Sequence, residues 1–151
     1  MKQEEALMGQ LEARATVRWS GYTGSVAGDS GALSAVTATQ SELGGPGTGT
    51  NPEELLAAAH ANCFTSTLTA LGRAHRVPLE EVETSARTRL EWDDEAHDHH
   101  LAASELTLRI RSSAGEEAVK ELVRKAELQC PVCKALSGNV RLSVSLEVEP
   151  I

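Results

Sequence analysis

Three cysteines and one histidine are the residues of this chain best placed for thiol chemistry. Cys63 lies near the end of the apolar run Asn51-Pro52-Glu53-Glu54-Leu55-Leu56-Ala57-Ala58-Ala59-His60-Ala61-Asn62-Cys63-Phe64. Cys130 and Cys133 belong to Cys130-Pro131-Val132-Cys133-Lys134. The nucleophile is the thiolate, which needs positive surroundings such as a cation or a helix N-terminus. Cys63 sits mid-helix, where the dipole alone does not supply that, and a buried helical cysteine is ordinarily an inert small hydrophobe. His60, three residues earlier on nearly the same face, is either a group that polarises the thiol or a histidine satisfied by hydrogen bonds. Cys130 has the better local setting, because Pro131 suits a first helical turn and makes Cys130 a cap-like residue near the positive dipole end. Cys130-x-x-Cys133 also has the dithiol spacing of redox motifs. If the fold brings Cys63 and Cys130 together, the chain holds a reactive thiol and a partner to capture its oxidised form.

Other chemistries find less support. Cys63, Cys130, Cys133 and His60 form an acceptable zinc ligand set, but no second CxxC or HxxxH accompanies them, so no metal is expected. His97, Asp98, His99 and His100 fall in an acid-rich segment that reads better as a solvated hairpin turn. No GxSxG nucleophile motif occurs, and neither GxGxxG nor GxxxxGK[ST] is present. The glycine-rich segment before Asn51 lacks the lysine of a phosphate cradle. A nucleotide site is therefore not expected.

The elements that must position these residues follow from patterning. Ala13, Ala15, Val17 and Trp19 alternate with polar neighbours as a half-buried strand does. Gly21, Gly24, Gly28 and Gly31 punctuate further short segments, with strands expected over Gly24–Gly28 and Ala32–Thr39. Residues 42–50 are too glycine-rich for regular structure and read as a flexible loop able to close over a site. Asn51, Pro52, Glu53 and Glu54 then mark a helix start. That helix is apolar almost all round to Gly72, as a central buried helix would be. Thr84–Trp92 and Leu101–Arg111 read as two long strands, Ala118, Val119, Leu122, Val123 and Ala126 as an amphipathic helix, and Arg141–Val148 as a last strand. The order predicts an α+β fold with helices packed on antiparallel sheets.

With 14 basic and 22 acidic residues, net −8, a nucleic-acid partner is not expected. No apolar run is long enough to span a membrane. The start, Met1-Lys2-Gln3-Glu4-Glu5, has no signal-peptide core, so the expected location is cytoplasmic. Three cysteines there argue against a structural disulfide framework. The 151 residues suit one domain, with residues 1–10 as a loosely held arm.

Thr50 to Phe64 closely resembles the central-helix motif of the OsmC/Ohr family, the osmotically inducible and organic hydroperoxide resistance proteins. Cys130-Pro131-Val132-Cys133-Lys134 is similar to the second family signature. Ala15-Thr16-Val17-Arg18-Trp19-Ser20-Gly21 and Glu42-Leu43-Gly44-Gly45 also resemble family segments. The resemblance implies antiparallel sheets wrapped around a long central helix in an intertwined homodimer. It implies a thiol-dependent peroxidase acting on organic hydroperoxides in oxidative stress defence. In that scheme Cys63 is the peroxidatic thiol, Cys130 the resolving one, and a lipoyl or thioredoxin-like dithiol the reductant. Such a cycle needs no cofactor. Phe64, Leu55 and Leu56 would line the substrate crevice. Glu53 matches the glutamate that pairs with an arginine beside the reactive thiol. That arginine is absent from its usual places, Trp19–Gly24 and Thr39–Ser41, leaving Arg18 or His60 to replace it. Cys133 stands where serine is usual and is a second possible resolver. The alternative is a non-enzymatic redox sensor or small-ligand-binding dimer of the same fold.

Overall fold

In the computed structural model, which describes residues 9–151, the alternation around Val17 becomes strand β1 (Ala15–Ser20). It pairs antiparallel with β2 (Thr23–Gly28), which pairs antiparallel with β3 (Ser34–Ala38). The arm expected over residues 1–10 falls almost wholly outside the described residues. Residues 42–50 are not wholly irregular, because a single 3-10 turn occupies Ser41–Leu43. Glycine is absent from those three residues, and Gly44, at φ +83°, closes the turn by donating to the Ser41 carbonyl at 3.0 Å. Gly45 then passes so close to the Thr39 backbone that a Cβ has no room. The segment ends by pairing back onto β3, with Thr50 N–H donating to Val36 O at 2.8 Å. These strands form one of two compact units, the unit that ends at Asn51. It buries little of its own apolar surface. Val26 and Ala38 are inside, while Val17, Trp19, Tyr22 and Val36 are 49–63% exposed.

The second unit, Pro52–Ile151, carries the remaining elements. Helix α1 (Pro52–His75) is followed by β4 (Glu81–Asp93), β5 (Asp98–Arg111), α2 (Glu116–Gln129), α3 (Pro131–Leu136) and β6 (Arg141–Glu149). The sheet order is β4-β5-β6. The α+β architecture stands, with one refinement to the all-antiparallel expectation: β5 and β6 run parallel. The reason is connectivity, since α2 and α3 form a crossover that returns the chain to the same end of the sheet. The hairpin between β4 and β5 turns on Asp93, whose Oδ1 accepts from the Glu95 and Ala96 amides. His99 and His100 lie on β5 rather than in that turn, and His100 contacts Asp98 at 3.1 Å.

One face of this sheet supplies the core. Leu106, Leu108 and Ile110, two residues apart on β5, are buried against Phe64 and Leu68 of α1 and Val119, Leu122, Val123 and Ala126 of α2. The helical spacing of the α2 residues is the one its amphipathic pattern demanded, although Ala118 is exposed. The other face is polar, with Arg109 reaching Glu83, Glu147 and Glu149.

Helix α1 departs from the expectation of burial all round. Its buried residues are His60, Phe64, Leu68 and Gly72, a single stripe four residues apart. The opposite stripe, Ala58, Asn62, Ser66 and Ala70, is exposed. Apolar composition on every side was right, but burial within one chain follows only the side facing β5 and α2. The helix ends on a left-handed residue, Arg76 at φ +56°, with Val77 N–H bonding back to Gly72 O at 2.9 Å. Gly72 lets the Val77–Leu79 segment pack closely there, since a Cβ would lie 3.0 Å from the Leu79 side chain and 3.1 Å from the Val77 carbonyl.

Candidate active site

Helix α1 and the short helix α3 bring all three cysteines into one cluster, free of disulfide bonds. Cys63 is half-buried on α1, one residue from the core-facing Phe64. Cys130 and the Val132 backbone amide are close enough to its thiol to influence its ionisation. Thr67, one turn on, donates to the Cys63 carbonyl at 2.9 Å and lies beside the thiol. Cys130 is fully buried and caps α3, with its Sγ accepting from the Cys133 amide at 3.3 Å. Its cap-like place in the sequence is thus its place in the fold. The i, i+3 spacing then turns Cys133 inward, where its Sγ lies 3.4 Å from His60 Nε2.

His60 is the junction of a buried polar chain. Its other ring nitrogen, Nδ1, is 2.7 Å from Ser104 Oγ on β5, and Ser104 lies 3.5 Å from Thr88 Oγ1 on β4. Burial pushes the imidazole below its usual pKa, so the ring is neutral near pH 7. A neutral ring has one N–H and one lone pair, which suits a hydroxyl on one side and a thiol on the other. Of the two roles open to His60, its hydrogen bonds to Ser104 and Cys133 fit a histidine satisfied by hydrogen bonding.

Cys63 and Cys133 are held towards the neutral thiol at rest. Burial is the main cause raising Cys63, reinforced by Cys130, while the Val132 amide and Thr67 pull the other way. None of these leading influences is a cation. Burial likewise pushes Cys133 up to about 12, with Cys130 and Cys63 adding to it. The cluster therefore sits one step short of a thiolate.

A cavity of about 310 Å³ opens on the far side of Cys133, bordered by His60, Lys134, Ser137 and Ser143. Among the described residues no grouping of His, Cys, Asp and Glu could hold a metal ion.

The profile of the family described as OsmC-like protein matches residues 45–145, which hold all of these groups. The chain belongs to the OsmC-like protein family. It is 40% identical over 102 residues to the organic hydroperoxide resistance protein OhrA of Bacillus subtilis, a match spanning 66% of this chain and 67% of that protein. Its fold superposes on the organic hydroperoxide resistance protein OsmC of Legionella pneumophila with a TM-score of 0.81 at 30% identity, over 93% and 99% of the two chains. The corresponding figures for OhrB of Bacillus subtilis are 0.74 and 27%, over 91% and 98%.

The remaining expected site residues of this OsmC-like protein are dispersed. Phe64, expected on a crevice wall, is fully buried in the core, because it sits in the stripe facing Leu106 and Leu108. Leu55 and Leu56 are half-buried in the first turns of α1. Glu53, also half-buried, is ten residues before Cys63, about 15 Å along the helix axis. Arg18 lies on β1 opposite Ser25, in the first unit, and is exposed. Ser104 and Thr88 were not foreseen. A signal existed for Ser104: it occupies the apolar phase of β5 set by Leu106, Leu108 and Ile110, where a hydroxyl needs a partner.

Proposed function

We propose that this chain is a thiol-dependent peroxidase that reduces organic hydroperoxides through Cys63, with Cys130 as its resolving thiol. What supports the reading is that Cys63 on α1 lies within electrostatic reach of Cys130 at the start of α3. The names of the relatives, organic hydroperoxide resistance proteins, supply the substrate class. Cys63 thiolate attacks the terminal peroxide oxygen, the O–O bond breaks, and the alkoxide leaves as alcohol after protonation. Cys63 is then a sulfenic acid. Cys130 attacks that sulfur, water leaves, and a Cys63–Cys130 disulfide forms. A dithiol reductant of lipoyl or thioredoxin-like type reopens it. Every step runs on sulfur, so no metal, haem or flavin takes part.

The raised Cys63 pKa sets what else the reaction needs. A cation beside the thiol would lower it, and Arg18 is the candidate, with Glu53 as its carboxylate partner. Glu53 is too far along α1 for direct contact with Cys63 of its own chain, which favours a site completed by a second copy. Two exposed surfaces support an intertwined homodimer: the small-residue stripe of α1 and the apolar residues of β1–β3. Leu55 and Leu56, together with side chains of the partner, would hold the organic group of the peroxide.

One observation favours a second reading. A thiol held protonated reacts slowly, as in a redox sensor that oxidises once and stops. Consumption of cumene hydroperoxide with excess dithiol separates the two. The peroxidase turns over many times and Cys63→Ser abolishes it; one equivalent consumed, or full activity in Cys63→Ser, contradicts the proposal.

A further inference from the structure

We propose that Cys133 is the exit thiol of the cycle: it takes the disulfide over from Cys63 by exchange and presents it as Cys130–Cys133 to a dithiol reductant entering the cavity beside His60. This rests on the peroxidase reading above and adds a third sulfur to it. Three observations converge. Cys130 acts on both other thiols, and its Sγ accepts from the Cys133 amide at 3.3 Å. Cys133 Sγ has a base at 3.4 Å, His60 Nε2, whose ring is anchored through Nδ1 by Ser104. Finally, Cys133 lines a cavity of about 310 Å³ with His60, Lys134, Ser137 and Ser143, and Cys63 and Cys130 are absent from its wall. That volume is at the lower end of small-molecule sites and has room for a short dithiol.

The exchange balances without further reagents. After peroxide reduction the pair Cys63–Cys130 is oxidised. Cys133 gives its proton to His60 Nε2, its sulfur attacks Cys130 Sγ, and the Cys63–Cys130 bond breaks with Cys63 leaving as thiolate. Cys63 is thereby returned to the nucleophilic form. A thiolate of the reductant, approaching through the cavity, attacks Cys133 Sγ. The Cys130 sulfur leaves towards the amide that already donates to it and takes up the proton held by His60. The second thiol of the reductant then attacks the mixed disulfide, releasing Cys133 and a cyclic oxidised reductant. Burial keeps Cys133 a thiol at rest, so it stays silent until the disulfide beside it gives it something to attack.

Rapid alkylation and peptide mass mapping, applied to the whole protein, read this sequence. One equivalent of cumene hydroperoxide should leave a Cys130–Cys133 bridge and an alkylatable Cys63 in the wild type. In Cys133→Ser the bridge should be Cys63–Cys130. The first equivalent should still be consumed, and steady turnover with dithiothreitol should fall by about tenfold or more. Wild-type protein that holds only a Cys63–Cys130 bridge with Cys133 alkylatable, together with full turnover in Cys133→Ser, would overturn the exit-thiol role while leaving the peroxidase intact. Diamide in place of the peroxide tests whether Cys130 and Cys133 can bridge at all, without a peroxidase step. A chain that forms Cys130–Cys133 with diamide but consumes no peroxide fails at the peroxidase reading. One that consumes peroxide but never bridges Cys130 to Cys133 fails at the exit-thiol role.

Discussion

The two units bury their apolar residues in opposite ways. The second unit closes its own core: Phe64, Leu68, Leu108, Ile110, Val119 and Ala126 are all fully inside. The first unit is a three-stranded sheet that leaves Val17, Trp19, Tyr22 and Val36 half or more exposed. The thiols, which must meet within bond-forming reach, are held by the unit that packs by itself. Arg18, the cation proposed to activate them, is carried by the unit whose surface calls for a cover.

The largest expected effect tests the self-contained core. Phe64→Ala removes a fully buried ring next to Cys63 and should cost about 3–5 kcal/mol in urea unfolding. A loss below 1 kcal/mol, roughly the low end for any core deletion, would mean that the second unit is not the rigid partner. Next comes the polar chain through α1. His60→Leu leaves Ser104 Oγ without its 2.7 Å partner and should cost about 1–3 kcal/mol. It should also change the pH profile. The folded pKa of His60 lies below its ordinary 6.5, so the unfolded chain binds more protons as pH falls through that value. Wild-type stability should therefore decline from about pH 6.5 downwards, and the variant should lose that part of the slope. An unchanged slope would place His60 in water.

The smallest thermodynamic effect belongs to the exposed sheet, and there concentration is the variable. Trp19→Ala should barely alter the unfolding of the isolated chain, yet weaken self-association by about tenfold, roughly 1.4 kcal/mol, in sedimentation measurements. A wild-type protein that stays monomeric at high concentration would show that the apolar surface of β1–β3 has some other use.

Most of this was legible in the sequence where a pattern repeats. Period-two alternation marked the strands, and the spacing of Val119, Leu122, Val123 and Ala126 marked α2. Pro131 after Cys130 marked the cap of α3. What escaped were features set by partners distant in the chain. The parallel pairing of β6 depends on the crossover through α2 and α3, not on the composition of β6. Burial of α1 on one stripe depends on which face meets β5, and its apolar composition on all sides hides that choice. His60 looked like a neighbour of Cys63 at three residues' spacing, yet its bond goes to Cys133, which is 73 residues away in sequence. Helical spacing says which residues share a face; only tertiary packing says what that face meets.

Cys63 is proposed as the sulfur that meets the peroxide. Replacing Cys130 and Cys133 together by serine removes both thiols that could capture the oxidised form. One equivalent of cumene hydroperoxide in the presence of dimedone should then give a single dimedone adduct, located on the peptide containing Cys63. An unmodified Cys63 after the peroxide has been consumed would contradict the account.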